Sequence, residues 1–192
     1  RQGDAVALNG LLQRAQDGQD PQTLRLAVEL ARERGRPAEA LALLPKLKIA
    51  GGADARWLGE ASAELHVLAL QQTPTPEALA AIWQSLAPAD RRQRPLAEAY
   101  VEAAVRLGQM TEAAAALDFA LEHAPCERLY RLLPRVLTAD QGEARLRQVD
   151  RLLAQHGESP MLRYARGALL KQLKRAEVAR VYALSALIVP NG

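Results

Sequence analysis

His66, His123 and His156, the lone Cys126 and four serines are the side chains of this 192-residue sequence best suited to holding a metal or attacking a carbonyl. Zinc needs three or four such ligands at short intervals, and the histidines stand far apart, with no His-Glu-x-x-His or Cys-x-x-Cys spacing. No metal site is expected. Ser62, Ser85, Ser159 and Ser185 lie in no nucleophile motif, and no glycine-rich loop follows a strand to cradle a dinucleotide or a triphosphate. Glu98 and Glu102 fall one helical turn apart, where a general acid would need burial to raise its pKa and a wet helix face is the simpler reading. "HAPC", residues 123–126, raises haem ligation by His123 or Cys126. The rival reading makes Pro125 the end of a helical repeat and Cys126 a small residue opening the next helix, and it is preferred because no second ligand is visible. No nucleophile, base and orienter can be named together, so no enzyme is expected and no cofactor is assigned.

One constellation does suit binding. Arg128, Arg131 and Arg135, at i, i+3 and i+7, are expected to form a stripe on one helix that grips carboxylates or phosphates through paired hydrogen bonds. Nucleic acid is a poorer ligand, because stacking aromatics are scarce. Trp57 and Trp83 stand among apolar neighbours and are expected to pack in the core.

The elements that carry these residues read as helices throughout. Apolar residues recur three and four apart almost everywhere, and no stretch alternates apolar and polar over a strand's length. Stops are regular: "DGQDP" at 17–21, Gly35-Arg36-Pro37, Gly51-Gly52, "TPTP" at 73–76, Gly108, Pro125, "TADQG" at 138–142 and "HGESP" at 156–160. Two pieces share a spacing, Gly35, Ala40, Leu44, Leu47 and Gly108, Ala113, Leu117, Ala120, which is the skeleton of the 34-residue tetratricopeptide unit. Alanines at fixed offsets let paired helices approach closely, so Ala113, Ala116, Leu117, Ala120 and Leu121 are expected to form a contact face, met by Leu96, Tyr100, Ala104 and Leu107.

The expected fold is all-α: one domain, an α-solenoid of about five helical hairpins at 21–50, 55–86, 92–124, 126–156 and 160–189, preceded by a partial one at 5–16. Such a solenoid presents a groove lined by the first helix of each hairpin. Register with the turn glycines puts Arg25, Glu29 and Arg32, then Glu98, Glu102 and Arg106, then Tyr164, Ala168 and Lys171 on that groove as candidate partner contacts.

Composition agrees with a folded chain, 49% hydrophobic, with neither a signal peptide nor a run long and apolar enough to span a membrane. Charge is uneven: the 13 Lys/Arg and 16 Asp/Glu of residues 1–125 give way to 12 and 6 in residues 126–192. That basic third suits an acidic protein, an anionic ligand or a membrane surface. The chain starts without Met, and an anchoring segment upstream is expected.

"IWQSLAPADRRQRPLAEAYVEAAVRLGQMTEAAAALDFALE", with Trp83, Leu86, Pro88 and Arg91, is followed by "ERLYRLLPRV", a short polar loop, "LRQVDRLLAQHGESPMLRYARGALL" and "ARVYALSALIVP". This succession, from about Pro21 to Pro190, resembles the C-terminal region of the HemY family, tetratricopeptide membrane proteins encoded with haem-biosynthesis genes in proteobacteria. The resemblance implies a bacterial inner-membrane protein with its repeat domain facing the cytoplasm, and a scaffold or regulator of porphyrin biosynthesis whose partners are pathway enzymes. The alternative is a carrier or sensor that binds haem or another tetrapyrrole on its basic C-terminal surface. The last hairpin departs from the repeat by being about a residue short before Pro190.

Overall fold

The computed structural model describes residues 2–18, 20–137, 141–157 and 159–187. They form an all-α protein with no strand among the described residues. The helices are α1 (Gln2–Asp17), α2 (Pro21–Glu33), α3 (Pro37–Ile49), α4 (Ala55–Gln72), α5 (Pro76–Ser85), α6 (Arg94–Arg106), α7 (Met110–His123), α8 (Glu127–Tyr130), α9 (Gly142–His156) and α10 (Pro160–Leu187).

Local chemistry fixes most of these boundaries. Proline opens α2, α3 and α5 at a position whose N–H would lack a partner anyway. The side chains of Asp20, Asp54 and Thr75 accept the amides of Thr23, Trp57 and Ala78 at 2.8, 2.7 and 3.3 Å, capping α2, α4 and α5. Bonds from the Thr23 hydroxyl and amide hold the Asp20 carboxyl below its ordinary range. The cap's contribution is therefore present above the unfolded aspartate pKa and is lost as the pH falls through the lowered one.

Helix ends follow the same economy. At Gly35 and Gly108, with φ of 66° and 75°, the chain turns through the left-handed region that disfavours a Cβ. The amides of Arg36 and Gln109 then return to the carbonyls of Ala31 and Ala104 at 2.9 and 2.8 Å, closing α2 and α6 in the same way.

The chain forms two compact units, Arg1–Ala103 and Ala104–Gly192, with the boundary inside α6. In the first, α1 packs on α2, α2 on α3, α3 on α4 and α4 on α5, and α1 also touches α3. Its core joins Leu24, Ala27, Val28 and Ala31 of α2 to Leu43, Leu44 and Leu47 of α3 and to Ala61 and Leu65 of α4. In the second, α10 lies against α9 and α8. Arg166 bonds Asp150 at 2.7 Å, and a Cβ on Gly142 would come within 2.6 Å of the Leu173 side chain, so α9 and α10 run antiparallel and close.

The alanine face of α7 is buried as its spacing requires: Ala113, Leu117, Ala120 and Leu121 are buried, joined by Ala114, while Ala116 is half-buried. Leu96, Tyr100 and Ala104 of α6 are also buried and Leu107 partly so.

Two segments differ from the sequence reading. The helix expected to run to about Leu137 ends at Tyr130, because Pro134 lacks the N–H that would bond the Tyr130 carbonyl and its ring clashes with that turn. Beyond it, tighter bonds from Leu132 to Leu129 and from Leu133 to Tyr130 carry the chain through a series of turns. Arg128, Arg131 and Arg135 therefore do not share one regular helix.

The hairpin expected at 160–189 is instead the single 28-residue helix α10, about 42 Å long at 1.5 Å per residue. Between Lys171 and Arg180 every residue favours or tolerates helix, and no proline or positive-φ glycine supplies a turn. Residues 188–189 of that expected hairpin, and Pro190, lie outside the described residues.

Ala113 has no accessible surface. Replacing it with Leu is expected to cost about 1–3 kcal/mol in urea unfolding through overpacking. Ala115→Leu, on the exposed side of the same helix, is expected to change stability by less than about 0.5 kcal/mol.

Candidate interaction surface

Arg25, Glu29 and Arg32 share one face of α2 because they stand four and three residues apart. Arg25 Nε donates to Glu29 at 3.2 Å while its guanidinium lies 4.9 Å from the centre of the Trp57 ring. About two turns beyond Arg25, Arg32 Nη1 donates to Glu64 at 2.8 Å, across 32 residues of sequence. Trp57 and Glu64 are themselves seven residues apart on α4, so lower number meets lower and higher meets higher: α2 and α4 run parallel. Both pairs are partly exposed, and each contributes at most about 1 kcal/mol. Their value is register, since they align the first helices of two successive hairpins and leave these cations already engaged.

The remaining candidates are distributed along the chain. Glu98 and Glu102 are half-buried on α6 in the first unit, while Arg106, one turn further, is exposed in the second. On α10, Tyr164 keeps 60% of its surface and Lys171 is exposed, seven residues apart on one face, with Ala168 partly covered between them. Arg128, Arg131 and Arg135 are all exposed, on the turns around the end of α8.

Both tryptophans are half-buried, and each packs against a neighbouring side chain. Trp83 stacks on Tyr100 with ring centres 4.1 Å apart, and Arg91 lies 5.9 Å over the indole. Arg91 also donates to the carbonyls of Leu86 and Gln84 at 3.1 and 3.0 Å, satisfying the end of α5 and clamping the loop before α6.

A cleft of about 570 Å³ lies between α4 and residues 86–96, lined by Glu60, Ser62, Glu64, His66 and Asp90 among others. Ser62 Oγ lies 3.3 Å from His66 Nδ1, the spacing of a nucleophile and its base. That nitrogen also lies 2.7 Å from the Ser62 carbonyl, which only accepts, so it carries the proton and has no lone pair for the hydroxyl. The pair is not an activated serine. Arg56, at the cleft edge, bonds Glu60 at 2.9 Å, and this carboxylate holds its pKa above the ordinary arginine value. Elsewhere His123 Nδ1 lies 2.8 Å from the Phe119 carbonyl and Cys126 is a half-buried free thiol. Among the described residues no group of three or more His, Cys, Asp or Glu could hold a metal ion, and no helix is long and apolar enough to cross a membrane.

One polar feature escaped the sequence reading. Arg145 of α9 is 4% exposed, and its Nη1 donates to Asp118 of α7 and, at 2.6 Å, to Gln148, whose amide returns to Asp118 at 2.9 Å. The signal was present: Arg145 precedes Val149 and Leu152 by four and seven residues and so belongs to the buried face. The mate lies 27 residues away on another helix, beyond what periodicity reveals.

No family model, no curated protein and no solved structure matches the chain.

The ion pair is asymmetric, with 3% of the Arg145 side chain exposed but 50% of the Asp118 side chain. Removing Asp118 strands a buried cation, whereas removing Arg145 leaves a carboxylate that water can solvate. Asp118→Ala is expected to lower stability by about 2–3 kcal/mol and Arg145→Met by less, measured by urea unfolding. The reverse order would show that Asp118 is not what keeps Arg145 buried.

Proposed function

We propose that this chain is a helical-repeat interaction module, a scaffold or regulator that holds partner proteins on the side formed by the first helices of its hairpins. The observation that carries this reading is the parallel register of α2 and α4, in which Arg25 meets Trp57 and Arg32 meets Glu64. Stacking first helix on first helix is how repeat hairpins build one continuous face for a partner. The order of landmarks from Trp83 to the end of α10, with its resemblance to HemY, favours enzymes of porphyrin biosynthesis as partners and the cytoplasmic side of a bacterial inner membrane as the place.

A second reading, a tetrapyrrole carrier, draws on Arg128, Arg131 and Arg135, three exposed guanidinium groups within one short stretch. Haem propionates would pair with them. Titration of the chain with haemin, followed at the Soret band, separates this reading from the first, and the triple Gln variant at these positions would lose the shift.

For the scaffold reading, Glu98→Lys, Glu102→Lys and Arg106→Glu are combined and the variant is used to capture proteins from membranes of the host bacterium. Loss of a porphyrin-pathway enzyme by about tenfold or more is expected, with helicity unchanged by circular dichroism. Unchanged capture would remove this surface as the binding face.

A further inference from the structure

A hollow of about 240 Å³ opens in the second unit where α9 begins beside α7, between Asp118 on one side and Gln141, Ala144, Arg145, Gln148 and Arg151 on the other. Two guanidinium groups share it with one carboxylate. Arg145 commits only Nη1 to Asp118 and Gln148, so among the described residues its Nε–H and Nη2 donors meet no acceptor. Asp118 Oδ1 already accepts from both of those side chains. Arg151 is exposed and forms no ion pair among the described residues. Gln141, at the N-cap of α9, makes no side-chain capping bond. Donors exceed acceptors here, and the buried guanidinium is held in place before any ligand arrives.

The hollow does not end there. An adjoining cavity of about 790 Å³ shares Asp118, Gln148 and Arg151 and continues over Phe119, Leu121, Pro125 and Leu152. Its other titratable groups are Glu122 and His156, so negative charge is tolerated at the Arg145 end and opposed further along.

We propose that this site binds a ligand bearing one oxyanion, carboxylate or phosphate, on an apolar body. The oxyanion pairs with the unused edge of Arg145 and with Arg151, while the apolar part covers Leu121, Leu152 and the exposed face of Phe119. A fork of parallel N–H donors matches the two oxygens of such a group. A single negative charge matches two arginines set against Asp118. The site involves neither α2, α4 nor α6 and is independent of the scaffold reading.

The test is titration of the full chain with benzoate, phenyl phosphate and neutral benzyl alcohol, followed by ¹⁵N-correlated NMR including the arginine side chains. Saturable shifts of the Arg145 Nε–H and the Ala144 amide are expected with benzoate, phenyl phosphate or both, the tighter identifying the head group, and not with benzyl alcohol. Arg151→Gln should weaken that binding roughly tenfold, the scale of one charge-assisted hydrogen bond. Replacing Arg128, Arg131 and Arg135 together with Gln should leave it unchanged. Shifts that never saturate, equal binding of benzyl alcohol, or full affinity in Arg151→Gln would each overturn the proposal.

Discussion

Two helices can approach closely only where the side chains between them are small, and that constraint runs through this chain. Ala27, Ala31 and Ala40 at the junction of α2 and α3, and Ala113 and Ala120 on α7, are all buried. An alanine loses little side-chain entropy on burial and is the best helix former, so it favours both the element and the contact. Leucines from adjoining turns supply the apolar area that the alanines do not, among them Leu24, Leu43, Leu47 and Leu117.

Close packing sets distance, and polar contacts set register. In the first unit α2 and α4 meet at a spacing of 32 residues through Arg32 and Glu64. In the second the same spacing returns between Glu127, which opens α8, and Ser159, just ahead of α10, at 3.4 Å. Contacts across 27 residues, Arg36 to Asn9 and Arg145 to Asp118, tie α1 to the start of α3 and α7 to α9. Individually these bonds are weak. Their recurrence at the same sequence separations is what the proposed repeat reading draws on.

What the sequence made legible was whatever is decided within a few residues. Pro21, Pro37 and Pro76 begin helices, Gly35 and Gly108 end them, and the alanine face of α7 follows from its spacing. The errors arose where two local signals competed. Pro134 cut a helix that its apolar neighbours seemed to extend, and the turn expected within 160–189 did not form because the residues between Lys171 and Arg180 all favour or tolerate helix. Of the candidate site, exposure was legible for Tyr164, Lys171 and the three arginines around α8, but pairing was not. Arg25 on Trp57 and Arg145 on Asp118 are products of tertiary placement. A charged residue on an apolar stripe can be noticed in sequence, but its counter-charge must be found in space.

The central claim is that α2 and α4 lie side by side in the same direction, the register on which the proposed repeat reading rests. Paired spin labels give the most direct measurement. A label at Gln22 with one at Ala55 should report a distance shorter by about 20 Å than Gln22 with Gln71, because 16 helical residues separate the two α4 positions. Equal distances, or the reverse order, would contradict the parallel register and with it the repeat architecture proposed for this chain.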